Sequence, residues 1–189
     1  SWTKSTTGTG KDISDIFMTS QTVGYLCGNE GLILKTTNGG NSWFPITSPA
    51  SINWSSLYFS DAYHGVLSGA SPVIYQTRNG GFSWTSFETG TNATINSTGF
   101  SGLTGFACGS SATVLKSTNG GMTWSKIVIP ELYDANLNKV SCPDEQTCYV
   151  VGNQNIGGSY VMFFAGTADG GITWKVKTFD FYPDLTFRS

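Results

Sequence analysis

Four octapeptides carry side chains whose types and spacing could do chemistry. They are Thr36-Thr37-Asn38-Gly39-Gly40-Asn41-Ser42-Trp43, then Thr77 to Trp84, Ser117 to Trp124 and Thr167 to Trp174. Each sets a hydroxyl (Thr36, Thr77, Ser117, Thr167) two residues before Asn38, Asn79, Asn119 or Asp169. A glycine pair ending at Gly40, Gly81, Gly121 or Gly171 follows, then a second hydroxyl and a Trp. Such oxygens could ligate calcium, but calcium sites draw on several carboxylates, and Asp169 is the only acid of the set. The pattern instead suits a turn. An Asn or Asp oxygen accepts nearby backbone N–H groups, and paired glycines supply positive φ. No metal or cofactor is expected.

Other reactive residues are few. His64 is the sole histidine and lies in the turn Asp61-Ala62-Tyr63-His64-Gly65. A Ser-His-Asp triad would have to use it, and no Gly-x-Ser-x-Gly elbow is present. Cys142 and Cys148 flank Pro143-Asp144-Glu145-Gln146-Thr147. Neighbours across such a hairpin can meet disulfide geometry, so a bond is predicted, and with it an oxidising compartment: periplasm, cell surface or outside. Cys27 and Cys108 are read as separate, buried thiols.

The elements that position these residues repeat with them. The four Trp fall at spacings of 41, 40 and 50 residues. Before each octapeptide stands an apolar landmark ending in Gly: Tyr25 to Gly28, Val66 to Gly69, Phe106 to Gly109 and Tyr149 to Gly152. The fourth unit carries extra residues within Asn153 to Ser159. Each unit divides into four short strand-like runs separated by turn signals. Four antiparallel strands per unit of about 40 residues describe a β-propeller blade; we label its strands A to D from the axis outward. Composition agrees. The chain has 189 residues, 24 of them Gly, with 14% aromatic and 12% charged residues and net charge −2. That balance excludes a disordered chain and offers no basic face for nucleic acid or lipid. No apolar run is long enough for a transmembrane helix.

The octapeptides resemble the Asp-box, or BNR repeat. Propellers built on it include sialidases, sortilin-type receptors, some glycoside hydrolases and the photosystem II assembly/stability factors. Gly24-Tyr25-Leu26-Cys27-Gly28 and Gly31-Leu32-Ile33-Leu34-Lys35-Thr36-Thr37-Asn38-Gly39-Gly40 look most like the last group. That family has seven blades and an Arg-rich patch toward its partner; here there are four units, and Arg78 and Arg188 are the only arginines. Two arginines cannot form the substrate cluster of a sialidase. Other glycosidases need two carboxyls facing one cleft. Aligned inner strands give Asp15, Ser56, Ser97 and Lys139 at one position, a single acid, with Glu131 and Asp134 the nearest others.

The chain is therefore expected to be an all-β propeller with blades at about 11-47, 51-88, 93-129 and 136-179 and strand remnants at 1-8 and 183-189. Trp2 and the stretch Pro183 to Ser189 read as the last and first strands of further blades. They point to part of a larger ring, with a complete four-bladed ring as the alternative. The expected function is non-catalytic: an extracytoplasmic protein-binding, scaffold or assembly-factor-like module, with carbohydrate as a further ligand class. Its contact residues are taken as Asn153, Gln154, Asn155 and Ile156 in the insertion, with Glu131, Tyr133 and Asp134 before the fourth blade. A fragment of a secreted glycoside hydrolase and a structural subunit of a larger assembly are the alternatives.

Overall fold

The structure, a computed structural model, describes residues 6–179. The stretch 183-189 and Trp2 lie outside the described residues. Residues 6–12 precede the first strand without regular structure.

Among the described residues, sixteen strands form four antiparallel sheets of four. Blade 1 holds β1 (Ile13–Met18), β2 (Gly24–Gly28), β3 (Ile33–Thr36) and β4 (Phe44–Pro45). Blade 2 holds β5 (Trp54–Phe59), β6 (Gly65–Gly69), β7 (Val73–Thr77) and β8 (Thr85–Glu88). Blade 3 holds β9 (Ile95–Ser101), β10 (Thr104–Gly109), β11 (Val114–Ser117) and β12 (Ser125–Ile127). Blade 4 holds β13 (Asn136–Ser141), β14 (Cys148–Ile156), β15 (Ser159–Thr167) and β16 (Lys175–Phe179). Strand order follows chain order within every sheet.

The blades pack face to face along the chain, with β1 on β5, β5 on β9 and β9 on β13. One core lies in each gap. Tyr25, Cys27, Trp54, Leu57 and Phe59 fill the first, Val66, Ile95 and Leu115 the second, and Phe106, Cys108, Leu137, Val140 and Val150 the third. The box tryptophans stand edge-on to these cores, Trp84 against Phe59, Trp124 against Phe100 and Trp174 against Phe106.

The landmark glycine has a steric cause. Every inner strand breaks register near its start, between Ile13 and Asp15, Trp54 and Ser56, Ile95 and Ser97, and Leu137 and Lys139. This bulge bends the strand toward the axis and brings main chain against main chain. A Cβ on Gly109 would lie 1.9 Å from the carbonyl oxygen of Thr94.

Candidate binding surfaces

Each box is closed by its own side chains. In the first, Thr36 Oγ1 accepts the N–H of Gly40 at 2.9 Å and donates to Asn38 Oδ1 at 3.0 Å. The same Oδ1 accepts the N–H of Ser42 at 2.9 Å, and Asn38 Nδ2 donates to Ser42 Oγ at 2.8 Å. The second and third boxes repeat these bonds around Asn79 and Asn119. In the fourth, the Thr173 hydroxyl donates to Asp169 Oδ2. That bond, with those from the Thr173 N–H and Thr167, lowers the Asp169 pKa to about 2. The first glycine of each pair ties the box to the A–B turn of its own blade, as in Gly80 N–H to Tyr63 O at 2.9 Å.

Boxes are also fastened to the preceding blade. Lys35 lies over the Tyr25 ring, whose hydroxyl donates to Ala62 O at 3.3 Å. Gln76 Nε2 donates to Met122 O at 3.1 Å, and the Lys116 ammonium donates to Gly170 O. At the axis, Asp15 Oδ2 accepts the N–H of Leu57 (3.0 Å), Ser56 Oγ that of Thr98 (3.1 Å) and Ser97 Oγ that of Val140 (3.4 Å). The acid expected to face a cleft thus has Oδ2 bonded to one backbone N–H and Oδ1 to another, that of Ile16. Sequence reading aligned these positions but missed their role, since a joint between blades leaves no local motif.

The cysteines are free thiols in this structure. Cys142 and Cys148 follow the β13–β14 pair Ser141–Tyr149 and so stand opposite one another. A thiol–thiol hydrogen bond and then burial push the Cys148 pKa up. The bridge expected from sequence is not formed here, and Cys142 Sγ donates instead to Gly99 O at 3.6 Å. Burial raises Cys27, with the Asp15 charge adding, and pushes Cys108 up to about 12. His64 Nδ1 pairs with Asp61 Oδ2 at 2.8 Å. Beside that pair a shallow depression of about 300 Å³ includes Arg78, Leu103 and Met122.

The expected contact residues share one rim, the end of the blades where the B–C hairpins lie. The extra residues of blade 4 lengthen that hairpin, so β14 and β15 run to nine residues each. Asn153 pairs with Asn136, which places the Glu131–Asp134 connection at the base of the hairpin. Glu131, Tyr133, Asp134, Asn155 and Ile156 are exposed. Asp134 holds a left-handed φ of 47°, a conformation that Asp tolerates. Gln154 is the correction. Strand alternation turns it inward with Cys148 and Val150, and it is 4% exposed. Two residues that sequence reading passed over, Tyr160 and Met162, lie exposed on the returning strand opposite Asn155 and Asn153. The alternation Ser159-Tyr160-Val161-Met162 was the signal for them.

A family model for the photosystem II assembly factor YCF48 matches residues 43–133, from the first box Trp through blade 3. The chain is an Asp-box propeller resembling the photosystem II assembly factors. Solved structures similar to this Asp-box propeller include YCF48 from Cyanidioschyzon merolae, at 18% identity and TM-score 0.66, covering 93% of this chain and 58% of that one. Another is YCF48 bound to a D1 peptide, at 14% identity and TM-score 0.57, covering 90% and 82%. A third is an ancestral GH74 enzyme, at 20% identity and TM-score 0.69, covering 87% and 25%. The Asp-box propeller thus spans a quarter of the GH74 enzyme and somewhat over half of the algal YCF48. No curated protein matches it in sequence.

Proposed function

We propose that this propeller is a non-catalytic, extracytoplasmic protein-binding module that acts as an assembly factor or scaffold. One observation carries the reading. The fourth blade departs from its siblings by building a longer B–C hairpin whose Ile156, Tyr160 and Met162 are exposed among the described residues. Exposed aromatic and Met side chains on a rim, near Tyr133, suit a peptide or protein surface. The box hydroxyls and amides, by contrast, are engaged in holding turns. The extracytoplasmic part of the reading has one support: Cys142 and Cys148 stand opposite one another across a hairpin, and a bond between them would need an oxidising compartment.

The first probe is an immobilised D1 peptide, since a YCF48 of similar fold was solved with one. The full chain should bind it. Deleting 153–159 should weaken binding at least tenfold while far-UV circular dichroism and the melting temperature hold. Failure of the full chain to bind would remove the assembly-factor reading. Binding indifferent to the deletion would remove the hairpin from it.

A further inference from the structure

We propose that the inner strands hold a site for a free aromatic α-amino acid, its carboxylate on Lys139, its ammonium on Asp15 and its ring against Phe17 and Tyr58. The site lies on the axial wall of the blades, apart from the rim hairpin, and does not rest on the functional reading above.

A hollow of about 230 Å³ opens on this wall, and all four inner strands line it. Strand register explains its shape. Phe17, Tyr58, Gly99 and Ser141 hold one equivalent position, opposite Tyr25, Val66, Phe106 and Tyr149. Blades 1 and 2 fill it with rings, which meet edge to face with centroids 5.0 Å apart. Blades 3 and 4 place a glycine and a serine there, so the wall is low on that side. A Cβ on Gly99 would press on the main chain of blade 4, 3.1 Å from Val140 O. The low wall is therefore built into the joint between these two blades.

Two opposite charges face the same hollow. Asp15 and Lys139 hold one equivalent position, opposite Cys27 and Val151, and both line it. Among the described residues they form no ion pair with each other, and the Lys139 ammonium has no hydrogen-bond or ion-pair partner. Their fields nevertheless overlap. Beyond the burial that raises the Cys27 pKa, Asp15 raises it further and Lys139 pulls it down. Lys139 also opposes the burial that raises Cys108. The backbone N–H groups of Ile16 and Leu57 fix the Asp15 carboxylate. Each occupies one acceptor position on its oxygen, and a carboxylate offers about four in all, so an ammonium can still be received. A separated carboxylate and ammonium in one hollow match a ligand that carries both charges. An acid alone would face Asp15, and an amine alone would face Lys139, each a like-charge penalty. Ligand sites combine apolar walls with a few placed polar groups, and drug-sized ligands need about 300–1,000 Å³. The smaller hollow suits a single amino acid, whose ring can meet Phe17 and Tyr58 edge-on or offset where Gly99 and Ser141 leave room.

Isothermal titration calorimetry on the full chain with L-phenylalanine tests this. Binding should be saturable and one-to-one. Hydrocinnamate lacks the ammonium, phenethylamine the carboxylate and glycine the ring, and each should bind at least tenfold more weakly. Lys139→Met should weaken phenylalanine at least tenfold while leaving phenethylamine no weaker. Ser141→Phe, which puts on blade 4 the ring that blade 1 already carries, should fill the hollow and abolish binding. Both side chains are exposed, so circular dichroism and the melting temperature should hold in each variant. No saturable heat with phenylalanine, hydrocinnamate binding as tightly as phenylalanine, or wild-type affinity in both variants would overturn the site.

Discussion

A single carboxylate distinguishes the fourth box, and its protonation has a definite sign. In the Asn boxes the amide donates to the second hydroxyl; in the fourth, the hydroxyl donates to Asp169. The Ser or Thr rotor serves either way, which is why both residues occupy one motif. The folded pKa of about 2 lies below the usual carboxylate value of about 3.9. A depressed folded pKa gives stability that is present above the unfolded pKa and lost as pH falls through the folded one. Asp169→Asn should thus fold normally, since three siblings use Asn. At pH 7 its denaturation midpoint should lie below the wild type's, and the gap should close between about pH 4 and pH 2. A gap that persists at pH 2 would contradict the assignment. The box was legible in sequence because the side-chain bonds that close its turn fall within five residues. The roles of Asp15, Ser56 and Ser97 were not, because each bonds a residue some forty positions away.

Strands and turns set the next scale. The landmark Gly was visible as a repeated letter, but its cause, a bulge pressing carbonyl oxygens onto it, belongs to the pairing of two strands. Main chain cannot move aside as a flexible side chain can. Gly109→Ala should therefore cost about 1–3 kcal/mol, the range for overpacking, read from the denaturant midpoint. Gly10→Ala, where nothing lies within 4 Å of the added carbon, should change it by less than about 0.5 kcal/mol. Equal effects at the two sites would remove the steric account. The insertion in blade 4 was legible as extra length. Its form was not: the added residues extend two paired strands, and their alternation buries Gln154 while exposing Tyr160 and Met162.

Over the whole molecule, four blades in chain order were legible because period, landmark and box all repeat. The faces at the two ends were harder to read. Ile13 and Tyr149 look like core letters, as their equivalents are, yet both are exposed among the described residues. Among the described residues, neighbouring blades are coupled through Tyr25, Gln76 and Lys116 near the boxes and the oxygens at the axis. A linear series of this kind opens from its ends, with local opening cheapest where one neighbour is missing. Amide hydrogen exchange on the 189-residue chain should be slowest in β6 and β10 and fastest in β1 and β16. The joints between blades would then govern how long each amide proton in the chain survives, including those in blades a given joint never touches.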